Sequence, residues 1–343
     1  MSKILYLAHN EQDYGCYMAF NGLCETLGEE NIILYPPKLS YLGLPDGNYF
    51  LHNQNKMGFT GTSPYIKARS RMRLYAFDEI IDEMPNIDLI ILSSPRHYPV
   101  HALRFIKQLY GGKIPRPTAF LDGEDGDNIR EDLIEEFHPQ FIFKRELTHP
   151  IAGIHPLPFS DIVPHLDIYK EIENLPKTID IFALFGNTHE IRSRIVKFLL
   201  EQNYPNSYIG IDKGQLPWQD DKRFSIPPLK GYNEYLTTMA SAKINIILRG
   251  HGRDTVRYWE AASFETLMLI KDPGIIIPNP YIDKVHCVYF ENENDLRDKI
   301  EHYLSHENER LEIAKACKDH TLKFHTNVQR IQHDFLPIVR GIK

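Results

Sequence analysis

The sequence predicts two doubly wound parallel-sheet α/β domains in series, and three observations predict it. Short apolar strands alternate with helices from the first residues onward. The rhythm breaks over 147–178, where Pro150, Pro156, Pro158, Pro164 and Pro176 fall. It then restarts and runs to about residue 270 before a run of helices ends the chain. Alternation of this kind requires parallel sheets with right-handed crossovers. A chain of 343 residues is long enough for two cores. The boundary is therefore set near 165. It gives a first domain over 1–165 and a second over 166–325, followed by a last helical segment over 326–343.

The elements follow in order. Ile4 to Ala8 reads as a buried strand, and Tyr14 to Leu27 as a helix ended by Gly28. Ile32 to Leu34 is a strand. Residues 36–73 are rich in Pro, Gly and Asn, close on a basic run from Lys67 to Arg73, and read as a long functional loop or small insertion. Phe77 to Met84 is helical, Asp88 to Leu92 a strand, Val100 to Tyr110 a helix and Pro117 to Leu121 a strand. Ile129 to Phe137 is a helix and Phe141 to Phe143 a strand.

In the second half Ile179 to Phe185 is a strand, and Gly186-Asn187 turns into a helix over Glu190 to Leu200. A strand at Tyr208 to Gly210 precedes a Pro-rich loop holding Trp218. Tyr232 to Ser241 is helical, Ile244 to Leu248 a strand, Thr255 to Phe264 a helix and Leu267 to Ile270 a strand. Helices at about 295–305, 308–318 and 326–339 complete the chain. Ligands in such folds bind outside the carboxyl ends of the strands, so two sets of strand ends facing one cleft are expected.

Composition narrows the function. A net charge of −7 argues against nucleic acid as the main partner, because phosphate neutralisation needs cations. No apolar run approaches a membrane span, and the start of the chain reads as a strand rather than a leader. Cys16, Cys24, Cys287 and Cys317 lack metal-like spacing. A reducing, cytoplasmic setting fits them.

The richest segment for chemistry runs from Leu248 to Glu260. A strand ends, a glycine-bearing loop carries Arg249, His251 and Arg253, and Asp254 is placed to cap a helix starting at Thr255. Free N–H groups at a helix start suit a diphosphate, and arginines beside it add donors for phosphate oxygens. Arg257 and Glu260 are three residues apart and share a helix face. A carboxylate there accepts from a ribose diol. A solvated loop with an ordinary Arg–Glu pair is the plain alternative.

Arg257-Tyr258-Trp259-Glu260-Ala261-Ala262, Leu267-Met268-Leu269, Asp272-Pro273-Gly274-Ile275 and Asp295-Leu296 occur in that order. Lys243-Ile244-Asn245-Ile246 precedes them, and Tyr303-Leu304 and Ala314-Lys315-Ala316 follow. Together they resemble the C-terminal half of GT-B glycosyltransferases, most closely the CgeB-like (spore-maturation-protein-like) branch related to the family-4 group. The likeness spans about 178–340. It implies two Rossmann-like domains facing a cleft, the last helix, 326–343, packing back on the first domain, and a nucleotide-sugar site in the second. Glu260 matches the family's second motif glutamate, which holds the ribose. The first motif glutamate lies eight residues earlier, where this chain has Gly252. Contact with the donor sugar then falls to His251, Asp254 or backbone N–H groups, and the retention of configuration that the resemblance implies loses its usual residue. Glu265 also stands where the family often has glycine.

Other strand ends supply the remaining candidates. Gly186-Asn187-Thr188-His189 leads into a helix with Arg192 and Arg194, a turn suited to phosphate or sugar. A tight turn capped by Thr188 is the plain alternative. In the first domain, Ser93-Ser94-Pro95-Arg96-His97 and the acidic loop Asp122–Asp127 follow strands. Asp125 and His97 are the candidate bases for an acceptor hydroxyl, although a solvated turn or a calcium loop also accounts for the acidic run. Lys144-Arg145-Glu146 faces either the cleft or, as a surface ion pair, solvent. The expectation is a glycosyltransferase using a nucleotide sugar without a metal, its acceptor a glycan, lipid, protein or small molecule. A nucleotide-sugar epimerase on the same fold and a non-catalytic nucleotide-sugar or glycan-binding protein are the rivals.

Overall fold

The computed structural model describes residues 3–9, 13–38, 69, 72–212, 225–226, 229 and 231–341. Most of the insertion at 36–73 and the Trp218 loop lie outside the described residues; of the basic run, Arg69 is buried and pairs with Glu25 at 3.0 Å, and Arg73 pairs with Glu79 at 2.7 Å. Two six-stranded parallel sheets organise the rest. The first contains β1 (Ile4–Leu7), β2 (Ile32–Tyr35), β3 (Leu89–Leu92), β4 (Thr118–Asp122), β5 (Phe141–Lys144) and β6 (Ile154–Pro156), in the order β2-β1-β3-β4-β5-β6. The second contains β7 (Ile179–Phe185), β8 (Ser207–Asp212), β9 (Ser225–Ile226), β10 (Ala242–Ile247), β11 (Leu267–Ile270) and β12 (Val288–Tyr289), in the order β12-β11-β10-β7-β8-β9.

Helices cover both faces, which is why the strands are apolar throughout rather than alternating. In β1, Leu5 and Leu7 face one core with α2 (Phe77–Glu83), α3 (His97–Leu109) and α4 (Glu131–Phe137). Ile4 and Tyr6 face another, which includes Phe20 and Leu23 of α1 (Tyr14–Leu27). This second core is continuous with the second domain, reaching Phe159, Trp259, Met268 and Phe335. A third core lies between β7, β10 and β11 on one side and α6 (Glu190–Glu201) and α9 (Glu293–Ser305) on the other. Three strands escaped the sequence reading. The short strand β6 lies in the Pro-rich break, β9 has two residues, and so does β12. Each sits at a sheet edge, where little pairing is needed to define it.

Strand order reverses between β1 and β3 in the first sheet and between β7 and β10 in the second. The loops after those strands diverge, and crevices form there. Around them run α5 (Tyr169–Ile172), α7 (Tyr232–Ala240), α8 (Val256–Glu260) and α10 (Glu307–Phe324). The helix expected over Thr255 to Phe264 ends sooner than the pattern suggested. It tightens into a 3₁₀ turn at Ala261–Ser263. Glu265 then turns the chain with φ +31°, a left-handed conformation that favours glycine.

The chain ends in α11 (Asn327–Arg330), a π turn at Ile331–Phe335 and α12 (Leu336–Val339). These pack against the first domain, with the Phe335 ring 4.9 Å from that of Phe143. The two crossings are pinned together. Asp161 N–H donates to the His325 carbonyl (2.7 Å), and Asn327 N–H donates to the Asp161 carbonyl (2.9 Å). The fully buried Asp161 side chain also accepts from Val163 N–H and the Ser263 hydroxyl. Close approach depends on Gly22 of α1, where a Cβ would collide with the Asn327 carbonyl oxygen and stand 2.7 Å from Ile331. Gly22→Ala is therefore expected to destabilise the chain by about 1–3 kcal/mol, the usual range for overpacking. Urea unfolding of the two proteins checks it; equal stability would show that α1 and α11 part at no cost.

Candidate functional site

At the reversal point of the second sheet, the loop Gly186–His189 after β7 meets the loop Leu248–Arg253 after β10. Arg192, on the first turn of α6, binds them together. Its Nε donates to the Arg249 carbonyl (2.7 Å), Nη1 to that of Gly186 (3.2 Å) and Nη2 to that of Leu248 (3.2 Å). Gly250 leaves room for this, since a Cβ there would lie 3.1 Å from Arg192 Nη2. Arg257 of α8 stacks over Phe185 at 4.5 Å, and Arg192 lies 5.4 Å from the same ring. Such stacking favours a guanidinium.

No described carboxylate pairs with Arg192, Arg249, Arg253 or Arg257. Elsewhere the buried Arg145, Arg310 and Arg330 each have one. Burial, and after it the charge of Arg257, press the Arg192 guanidinium well below the usual arginine range. Like charges are thus held together with no anion from the described chain. Three buried polar atoms at the same place also have no hydrogen-bond partner: Arg257 Nη1, Arg249 Nε and Thr188 Oγ1. Buried polar groups are normally satisfied. Donors and cations converging without acceptors are suited to an anion at this strand-end crevice. Thr188 does not cap α6; His189 does, its Nδ1 accepting from Ile191 N–H (3.2 Å). Asn187 accepts from the Ser193 hydroxyl (3.0 Å). Arg194 lies apart, exposed and paired with Glu293.

The Arg257–Glu260 pair does not form. Arg257 Nε donates to the Tyr235 hydroxyl (3.2 Å). Glu260 is buried and accepts from the Tyr232 (2.5 Å) and Tyr235 (3.2 Å) hydroxyls. These tyrosines rigidify the carboxylate beside the anion site. They came from a helix about 25 residues upstream, and nothing in the local pattern announced them.

Asp254 does not cap a helix. Thr255 occupies the cap position of α8 with no side-chain bond. The Asp254 carboxylate instead accepts from Phe159 N–H (2.6 Å) and Trp259 Nε1–H (2.8 Å), both buried. It ties the second domain to the crossover segment. Burial raises its pKa from 3.8 to about 6, against the pull of Arg145. The folded chain thus binds this proton more tightly than the unfolded chain does. Stability from the protonated group is full below about pH 4 and is lost as pH rises through about 6. Across that window native unfolding free energy should fall relative to that of Asp254→Asn, and the two curves should run parallel above it. Parallel curves throughout would contradict the assignment.

Gly252 is buried, and the sequence read it as a missing glutamate. A Cβ there would collide with the carboxylates of Glu146 and Asp125, both from the first domain. Glu146 is fully buried. Its Oε1 accepts from Asp254 N–H (2.9 Å), its Oε2 from Gly126 N–H (2.7 Å), and Arg145 Nη2 lies 3.0 Å from Oε1. Arg145 also pairs with Asp125 and stacks on Phe159 at 4.4 Å. Lys144 is paired internally with Asp122 at 3.1 Å. The surface ion pair considered for 144–146 is therefore a buried junction between domains. The sequence offered one clue to it, a charged triplet closing an apolar strand.

Asp125 and His97 are not brought together. Asp125 lies in the junction, its side chain half-exposed. His97 is exposed and stacks on His101 at 5.9 Å. It lines a separate cavity of ≈ 350 Å³ with His9, Arg96, Arg104, Glu124 and Arg130. His251 is exposed, and its carbonyl accepts from Arg249 Nη2 (3.1 Å). Arg253 Nη1 reaches the Pro273 carbonyl at 3.4 Å. Within the acidic loop Asp122, Asp125 and Asp127 are engaged by Lys144, Arg145 and Thr148. Among the described residues no group of three His, Cys, Asp or Glu side chains is arranged to hold a metal ion, and none of their helices is long and apolar enough to cross a membrane.

Two parallel-sheet α/β domains arranged in this way have a GT-B fold. Residues 182–334 match the family described as glycosyl transferase-like. No curated protein matches the chain. Solved structures of similar fold include a glycosyltransferase from Rickettsia africae ESF-5, at 10% identity, TM-score 0.60 and 99% coverage of both chains. Anabaena Alr3699/HepE in complex with UDP and glucose is another, at 10% identity, TM-score 0.59 and full coverage of both. A third is sucrose-phosphate synthase from Thermosynechococcus elongatus, at 10% identity, TM-score 0.55 and 97% coverage of each.

Proposed function

We propose that the chain transfers a glycosyl group from a nucleoside-diphosphate sugar to an acceptor hydroxyl, with retention, and that it belongs to the CgeB-like branch. The observation that carries this reading is the set of four arginines without described carboxylate partners, beside the three unsatisfied atoms at Gly186–Thr188 and Arg249–Arg257. In the reaction the anomeric carbon–oxygen bond of the donor breaks, and its electron pair goes to the diphosphate. The acceptor oxygen bonds to that carbon and its proton leaves. The arginines face the charge as it develops, which is where preorganised donors lower a barrier most. They supply the charge neutralisation that a metal would otherwise give. Glu260, fixed by its tyrosines, supports the ribose. Asp125, half-exposed against Gly252, takes the acceptor proton. UDP is the first nucleotide to try, because a protein of the same fold was solved with it.

The test is release of UDP from UDP-sugars, with and without candidate acceptors, in excess EDTA. Acceptor-stimulated release that survives EDTA is the expected result. Interconversion of the nucleotide sugar without an acceptor would replace the reading by epimerisation. Stabilisation by UDP with no turnover on any acceptor would reduce the protein to a binder.

A further inference from the structure

A second cavity, of ≈ 40 Å³, lies at the carboxyl ends of β3, β4 and β5, between α1, residues 157–160 and the C-terminal helix. Six of its wall residues are buried and polar: Ser93, Ser160 and the four that matter here, Asp122, Arg145, Asn327 and Arg330. Between them they leave five polar atoms without a partner, namely Asp122 Oδ2, Arg145 Nε, Arg330 Nε and both side-chain atoms of Asn327. Asn327 is 0% exposed, and neither of its side-chain polar atoms has a partner among the described residues. Buried amides left in this state are rare.

The chemistry of the wall selects a ligand. Asp122 is paired with Lys144, Arg145 with Asp125 and Glu146, and Arg330 with Asp334. Three cations meet four carboxylates, so the wall carries no excess positive charge and does not call for phosphate or carboxylate. It offers donors and acceptors together, which a hydroxyl can match from one atom. The rest of the wall is apolar, with Phe143, Phe159 and Ile331. The volume exceeds what one water needs and is too small for a sugar ring. Gly15 and Gly123, at the partly exposed edge, present no side chain. Arg145 is shared with the junction that holds Asp125 and Gly252, so a group seated here belongs to a molecule lying along the same seam.

We propose that this cavity is an acceptor subsite that takes the hydroxymethyl arm of a neutral carbohydrate, read by the Asn327 amide. The inference rests on the transferase reading and names its acceptor class. The test uses the full chain with methyl α-D-glucoside, methyl α-D-galactoside and methyl α-D-mannoside, each with its 6-deoxy counterpart. Saturation-transfer NMR reads binding, and the UDP-induced melting shift is read in parallel. At least one glycoside should bind, with its 6-deoxy form at least about tenfold weaker, because the site's polar atoms are then left unpaired. Asn327→Leu should lose the same factor and keep the UDP shift. Ala19→Val, which fills the wall from α1 and leaves Asn327 in place, should also weaken the glycoside and carries the test if Asn327→Leu does not fold. Equal binding of the 6-deoxy forms, native binding in both variants, or a UDP shift with no glycoside bound would each overturn the proposal. Glycoside discrimination without any UDP shift would leave the subsite standing and overturn the transferase reading instead.

Discussion

Replacing Arg257 by Gln is expected to weaken binding of UDP by about 10- to 100-fold. Hydrogen bonds to a charged group contribute roughly 1.5–3 kcal/mol, and about 1.4 kcal/mol is tenfold in affinity. Arg257 has an unsatisfied Nη1 and no described anionic partner, so its loss removes a donor that only a ligand uses. The unliganded protein should melt near the native temperature. The lost contact with Phe185 is offset by relief of the like charge on Arg192. The pattern sought is a large change in affinity with a small change in stability, and it should shrink as salt rises. Arg194→Gln, on the same surface but exposed and paired with Glu293, should bind UDP as the native chain does. Titration calorimetry of the three proteins decides the matter; equal affinities for all three would remove Arg257 from the site.

Glu146→Ala should have the largest effect on stability, roughly 3–5 kcal/mol, the cost of breaking a buried ion pair from one side. The change leaves the Asp254 and Gly126 N–H groups without their acceptor and removes one of the two carboxylates on the buried Arg145. Glu146→Gln keeps one acceptor oxygen and should lose less. Glu124→Ala, whose half-exposed pair with Arg96 spans 3.5 Å, should lose under about 1 kcal/mol. Chemical unfolding measures all three. A loss at Glu146 no greater than at Glu124 would mean that the junction does not hold the domains together.

The fold was legible because its signals are local. Tyr14 to Leu27 has its apolar face and a glycine at the end, and the helix has those bounds, closed by Gly28 at φ +90°. Ile179 to Phe185 and Leu267 to Ile270 are runs that only a doubly covered strand can use, and both are strands as read. The sequence singled out Arg249, Arg253 and Arg257 beside one strand end and Arg192 after a glycine turn, and the structure brings Arg192 and Arg257 over one ring, Phe185. What was hidden depends on long-range neighbours. Asp254 looked like a helix cap because caps are read from the next three residues; its partner Phe159 is 95 residues away. Gly252 looked like a lost carboxylate, whereas the carboxylates that meet it come from positions more than 100 residues earlier. Asn327 gave no signal, because an unsatisfied amide is visible only when its surroundings are known.

The most direct measurement is a crystal structure of the chain with UDP. The account predicts the diphosphate between Gly186–Thr188 and Arg249–Arg257, with Arg257 Nη1 and Arg249 Nε on its oxygens and the ribose beside Glu260. A diphosphate seated elsewhere, such as the cavity of Arg96, Arg104 and Arg130 in the first domain, with Arg192 and Arg257 untouched, would contradict it.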